Sequence, residues 1–484
     1  MKSLAKNSIF YLIYEVLNVL FPLITGIYVA RVLLPESVGE VAYAQNIVQY
    51  FVILSYLGIP TYGMREVAKY RDDKEQLNRI YTELFIINLI STVIFFSIYM
   101  GMILAVPSFR ENFLLFFVVG GLIALNTLNI NWLFSGLEEF QFVSIRNIIF
   151  KGISFLLLIF LVNSSDDYLI YAAITVIGTA GNYIINIIYA PKFVHFTKEG
   201  LHLKRHMKPI LYLVAVNLAI EIYMLIDVTM LGIMCEKTNV AYYSYGNKVY
   251  KILLQVVNSF TMVVVPRLSL FHKKGNIQDF NNLVTKTLTV IIILSVPMIV
   301  GIWCTADSVV YVMYGESYRS SGLVLKMLSF LLLISPIGYL LGSRMLLITK
   351  QEKKMLFSVA MGAIVNVCFN YFLIKSFAEY GAAAASVISG TVEMVIYFYL
   401  GRKCYKLGRF YKSAVKILVS SGIMAAVILL LSMIKINIMV SVFVQIGAGI
   451  LVYFVALSLM KEETINKYNK KFIEKIFKRK RSGG

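Results

Sequence analysis

Apolar runs of about twenty residues recur along almost the whole chain, separated by short polar or Pro/Gly-rich breaks, and that is the length an α-helix needs to cross a bilayer's hydrocarbon core. The pattern predicts spans near 8–30, 41–60, 80–106, 113–134, 143–162 and 168–190, then near 209–232, 241–265, 285–304, 322–348, 355–375 and 381–400. Two more follow near 413–434 and 437–460. The expected fold is an all-α integral membrane protein of about fourteen transmembrane helices, arranged as two pseudo-symmetric six-helix bundles plus two C-terminal helices. The corresponding divisions are 1–208, 209–410, 411–460 and a basic tail at 461–484.

The polar breaks alternate in charge. One set of loops holds Arg65, Lys69, Arg71, Lys74 and Arg79, then Lys192, Lys198, Lys204, Arg205 and Lys208, then Arg402, Lys403, Lys406, Arg409 and Lys412. The opposite set holds almost none, so the positive-inside rule places the first set, and both termini, on the cytoplasmic side of the cell membrane. The apolar run from Ser8 to about Ala30 is too long for a signal-peptide core and has no small-residue cleavage site, so it reads as the first span.

Composition narrows the function classes. With 59% hydrophobic and 15% charged residues among 484, no stretch is left that is long enough for a soluble catalytic domain. The net charge of +20 would raise the question of nucleic acid in a soluble protein. Here the cations lie in the inner loops and in the tail Lys470 to Arg481, where they meet anionic membrane lipids. No basic, aromatic-interleaved module for nucleic acid is present. Cys235, Cys304, Cys368 and Cys404 are too scattered for a metal site or redox couple. There is no GxxxxGK[ST] for ATP, and histidines 195, 202, 206 and 272 form no HExxH. No cofactor, metal or catalytic residue is therefore expected, and the outer loops offer no carboxylate pair of the glycosidase kind.

An internal repeat is visible. Glu36 to Leu54 reads ESVGEVAYAQNIVQYFVIL, and Glu236 to Leu254 reads EKTNVAYYSYGNKVYKILL, with Asn46 opposite Asn247. Asp167-Tyr168 before Ala172-Ala173 has a counterpart in Glu379-Tyr380 before Ala382 to Ala385. An even number of spans per half gives both halves one orientation, related by an axis along the membrane normal, with the substrate path expected between them.

Ionisable groups inside spans are costly and mark function by default. In the eighth span Tyr245, Lys248, Lys251, Gln255 and Asn258 recur every three or four residues, which puts them along one helical face. Two ammonium groups a turn apart suit a diphosphate; the alternative is that they snorkel to headgroups. Arg344 in the tenth span has the same two readings. Glu221 and Asp227 in the seventh span are placed either to pair with those lysines or to bind a coupling Na+ or H+. Glu15 in the first span and Glu393 in the twelfth are further ion-coupling or charge-pairing candidates. Asn46 with its counterpart Asn247, and Gln45, Gln49, Asn126, Asn129, Asn366 and Asn370, either meet substrate in a hydrated cavity or hydrogen-bond neighbouring helices. Pro22, Pro297 and Pro336 are expected to kink their helices.

Several segments in order carry a family likeness: YVARVLLPESVGEVAYAQNI at 28–47, LGIPTYGMREVAKYRDD at 57–73, NWLFSGLEEFQFVSIRN at 131–147, IDVTMLG at 226–232 and NYFLIKSFAEYGAAAASVIS at 370–389. The chain resembles the Wzx-type polysaccharide flippases of the multidrug/oligosaccharidyl-lipid/polysaccharide exporter superfamily. The resemblance implies a V-shaped pair of bundles that rocks between inward-open and outward-open states around a cationic cavity. It implies a cargo of undecaprenyl-diphosphate-linked oligosaccharide, delivered to the outer leaflet for a polysaccharide polymerase. It also makes Arg31, Arg65, Arg146, Lys248, Lys251 and Arg344 the expected diphosphate contacts. Two rivals belong to the same superfamily, an ion-coupled multidrug extruder and a lipid II flippase. A membrane-embedded glycosyltransferase or polymerase would need a larger outer loop than Thr305 to Ser321.

Overall fold

In lipid each spanning segment must satisfy its own backbone N–H and C=O groups, so apolar runs of this length become helices. The computed structural model describes residues 18, 20–408, 410–434, 436–463 and 465–466, with backbone alone at 215–217 and 219, and within them every regular element is helical. Glu15, the side chain of Asn217 and the basic run 470–481 lie outside the described residues.

Contacts divide the chain into two units, Met1–Ala241 and Tyr242–Gly484. The first contains α1 (Leu20–Val32), α2 (Pro35–Tyr56), α3 (Ile59–Tyr70), α4 (Lys74–Ala105), α5 (Phe113–Asn126), α6 (Phe140–Leu161), α7 (Tyr168–Ala180) and α8 (Lys204–Met234). After α9 (Lys237–Lys273), which begins in the first unit, the second contains α10 (Ile277–Tyr314), α11 (Ser320–Ser329), α12 (Leu331–Gly338), a π-helical turn Tyr339–Arg344, α13 (Glu352–Gly401), α14 (Tyr411–Ser432) and α15 (Ile438–Leu459). Among the described residues 11 helices are long and apolar enough to cross a membrane. One of them, α13, is 50 residues long and reverses at Ala378 (φ 47, ψ −123). Its arms run antiparallel, with Asn366 Nδ2 donating to Ser389 Oγ at 3.4 Å and Gly362 facing Glu393. Counting α13 twice and adding α8 and the short apolar α1 gives the fourteen spans expected.

The helix ends differ from the apolar runs. The 38 residues of α10 span about 57 Å at about 1.5 Å per residue, well past the ~30 Å hydrocarbon core, so the helix continues where the apolar pattern near 285–304 stops. Within the first unit α8 packs on α2 and α3. Two glycines allow close approach to α2: a Cβ on Gly232 of α8 would lie 2.1 Å from the Tyr43 ring, and one on Gly39 would lie 1.7 Å from the Lys237 carbonyl at the start of α9.

Proline kinks are repaired from neighbouring helices. Pro336 in α12 has no N–H for the Leu332 carbonyl, and Ser295 Oγ of α10 donates to that oxygen at 2.7 Å. Pro297 in α10 leaves the Ile293 carbonyl, and Tyr453 Oη of α15 fills it at 2.8 Å. The two added C-terminal helices thus dock at a kink, over a buried cluster of Ile293, Ile417, Met424, Ile428, Tyr453 and Leu457.

A second repeat appears only in three dimensions. Asp73 caps α4 by accepting from Gln76 N, while Asn78 Oδ1 accepts from His195 N at 2.8 Å and Thr82 Oγ1 from Thr197 N at 3.1 Å. In the second unit Asn276 caps α10 by accepting from Asp279 N, Asn281 Oδ1 accepts from Lys406 N at 2.9 Å, and Thr285 Oγ1 from Gly408 N at 2.9 Å. In each unit the returning chain is thus strapped by Asn and Thr side chains across the start of a long helix, α4 in the first unit and α10 in the second.

Candidate functional site

In the second unit the polar face of α9 starts in packed protein and ends on the surface. Tyr245 is fully buried, edge-on to Tyr314 (centroids 4.4 Å apart, planes at 84°) and 4.7 Å from the Tyr318 ring. Lys248 lies one turn later, half-buried, with Nζ 4.4 Å from the Tyr245 ring centroid. Such a contact holds an ammonium without neutralising it, leaving its charge for an anion. Asn247 is half-buried beside it, and Lys251 and Gln255 are exposed further along. The structure therefore brings Tyr245 and Lys248 together and leaves Lys251 and Gln255 on the helix surface.

Arg344 closes the π-turn, donating from Nη2 to Tyr339 Oη at 2.9 Å with its guanidinium 4.3 Å from that ring. Pro336 lies just before this turn, and a π-turn holds one more residue per turn than the helix around it. Glu393, half-buried on the returning arm of α13, faces Gly362.

In the first unit Arg146 is buried, donates from Nη2 to Asn131 Oδ1 at 2.7 Å and lies 5.2 Å from the Phe142 ring. Arg31 and Arg65 are exposed. Asn46 Nδ2 donates to Thr229 Oγ1 at 2.7 Å and to Leu225 O at 3.2 Å, and Tyr50 Oη lies 2.9 Å from the same threonine. These bonds tie α2 to α8. Asp227 is buried on α8 two residues before Thr229, and Glu221 is half-buried. Gln45 Nε2 donates to Thr175 Oγ1 at 2.8 Å, and Asn129 Nδ2 to Asn126 Oδ1 at 3.2 Å.

Two features escape sequence reasoning. Lys151, halfway along α6, donates to Asn18 Oδ1 and lies 5.5 Å from the Phe21 ring. Its signal was present, a lone lysine inside an apolar run. Glu83 of α4 is fully buried and accepts from His202 N and from Arg205 Nη2 at 2.6 Å, with His206 Nε2 also 2.6 Å away. Tyr62 Oη reaches the other ring nitrogen of His206 at 2.8 Å. This network joins α3, α4 and the start of α8.

These elements define a multi-pass α-helical membrane protein with a cation-bearing helix face packed on tyrosines. The chain belongs to the polysaccharide biosynthesis protein family, whose model matches residues 4–272; the MatE family model matches residues 213–372. It is 23% identical over 391 residues to a putative O-antigen transporter of Escherichia coli (strain K12), covering 79% of this chain and 92% of that one. It is 24% identical over 232 residues to the probable low-salt glycan biosynthesis flippase Agl15 of Haloferax volcanii, covering 48% and 49%. Among solved structures it is similar to lipid II flippase MurJ in an inward closed conformation (TM-score 0.72, 16% identity, 94% of this chain and 100% of that one). It is also similar to an inward-facing multidrug resistance MATE family transporter of the MOP superfamily (TM-score 0.66, 18% identity, 81% and 94%). At these identities the structural likeness establishes the fold.

Proposed function

We propose that this chain is a flippase that moves polyprenyl-diphosphate-linked oligosaccharide units from the inner to the outer leaflet by alternating access, for synthesis of a cell-surface polysaccharide. The observation that carries the reading is the likeness to a putative O-antigen transporter over 92% of that protein's length, within a polysaccharide biosynthesis family. The chemistry of α9 agrees with it, because Lys248 and Lys251 suit an anionic diphosphate head while the polyprenyl tail trails between helices into lipid.

In this reading the moving halves are 1–208 and 209–410, the spans at 411–460 are an addition, and both termini face the cytoplasm across the cell membrane. Arg344, Arg31, Arg65 and Arg146 are secondary diphosphate contacts. Glu221, Asp227, Glu15 and Glu393 either pair with cations or bind the coupling Na+ or H+. A polysaccharide polymerase receives the flipped unit.

The test is translocation of a fluorescent polyprenyl-diphosphate oligosaccharide in proteoliposomes, with empty vesicles as the baseline. Translocation above that baseline supports the reading; none, with folded protein and intact cargo, moves it to the extruder that the MatE match favours.

A further inference from the structure

Outside the cationic face of α9, the second unit has a cavity of about 520 Å3 where three of its Lys/Arg-rich connections meet. These are the turn between α9 and α10, the link into α13 and the strap after it. Its size is in the range of small-ligand sites. His272, Asn281, Thr349, Gln351, Lys403 and Lys406 supply its polar lining, and no carboxylate is among the lining residues.

The walls are held in place. Lys406 and Gly408 bond through their backbone N–H groups to Asn281 and Thr285 on α10, which fixes the strap that carries Lys403 and Lys406. Gln351 Nε2 donates to Thr349 Oγ1 at 3.0 Å and reaches Cys404 Sγ at 3.7 Å, joining the link into α13 to the same strap. Ile277, Phe280 and Asn281 belong to the first turns of α10, so the positive end of a 38-residue helix borders the cavity. Lys403, Lys406 and His272 are exposed, as are Lys273 and Lys274 in the α9–α10 turn, and of these five only the first three line the cavity.

We propose that this cavity binds a phosphate group, held by Lys403 and Lys406 with His272 as a further donor and the α10 N-terminus as a fixed dipole. The phosphate belongs to an anionic phospholipid headgroup or to a soluble phosphate compound. Fixed walls and two cations suit such an anion, and Asp279, the acidic residue of the first turn of α10, is held by Asn276 and is not among the lining residues. The site is independent of the cargo assignment.

The test uses the full chain in two arms. In the first, protein from nanodiscs of phosphatidylcholine with phosphatidylglycerol is analysed by native mass spectrometry for retained phosphatidylglycerol. In the second, inorganic pyrophosphate is titrated calorimetrically into protein in zwitterionic detergent. Each arm compares the unmodified chain with Lys403→Gln/Lys406→Gln and with Lys273→Gln/Lys274→Gln, which removes the same charge from outside the cavity. Binding lost only in the first variant, and restored by Lys403→Arg/Lys406→Arg, supports the site. The arm that responds identifies the source as lipid or soluble. No binding by the unmodified chain in either arm, or equal loss in both glutamine variants, overturns it. Size-exclusion profiles check folding, and Lys403→Gln alone is the substitute if the double variant does not fold.

Discussion

The hydroxyl of Tyr453 donates to the carbonyl of Ile293 at 2.8 Å, the one backbone acceptor that Pro297 leaves without a helical partner. Both residues are buried, so water cannot take the hydroxyl's place. Tyr453→Phe keeps the ring and orphans the carbonyl, and is expected to cost about 1–3 kcal/mol. Ser295→Ala should do the same at Leu332, below Pro336. Thermal unfolding in detergent checks both; an unchanged midpoint would mean that the kinked carbonyls need no donor.

Charge selectivity separates the flippase from the extruder. Lys248→Ala/Lys251→Ala is expected to abolish translocation of the diphosphate cargo with folding intact, while Asp227→Asn/Glu221→Gln leaves most of it where these carboxylates only pair with cations and abolishes it where they bind the coupling ion. Because the ammonium of Lys248 rests on the ring of Tyr245, Tyr245→Phe should keep activity and Tyr245→Leu reduce it. Near-normal flipping by the folded lysine double variant would remove the proposed role of these lysines.

The two straps predict matched local effects. Asn78→Ala should raise amide hydrogen exchange at His195, and Asn281→Ala at Lys406, each bond being worth about 1 kcal/mol. Exchange confined to the unit that carries the substitution is the expected pattern. No change at either amide would make the straps incidental.

Ala378 carries a φ of 47 and a ψ of −123 at the reversal of α13. An L-residue is strained there and glycine is not, so Ala378→Gly is expected to stabilise the protein by about 1 kcal/mol. A lower unfolding midpoint would show that the alanine methyl makes a contact that outweighs the strain.

What was legible in the sequence followed local spacing. Tyr245 and Lys248 are three residues apart on one helix, so their shared face could be read directly. The prolines inside α10 and α12 and the break between 375 and 381 were equally plain. What was not legible depends on residues far apart in sequence. The partners of Glu83 lie 122 and 123 positions away, and nothing in hydrophobic pattern says which side chain will reach a buried carboxylate. The donors at the kinks, Ser295 and Tyr453, were hidden for the same reason. Asn46 was ambiguous because an amide suits both a wet cavity and a helix interface, and its bond to Thr229, 183 positions away, could not be read from spacing. The ends of α10 lie beyond the apolar stretch near 285–304 and were not legible, since apolarity reports the bilayer and not the hydrogen-bond ladder.

Asp73, Asn78 and Thr82 and their counterparts Asn276, Asn281 and Thr285 do the same work with the same atoms at a constant interval of 203 residues. Such matching gives the two units one device for closing the start of a long helix. The residue that follows each threonine marks where they differ. One unit carries Glu83, sealed by an arginine and a histidine, and the other carries Lys286, left exposed. Anchorage is shared between the units, and charge is what differs.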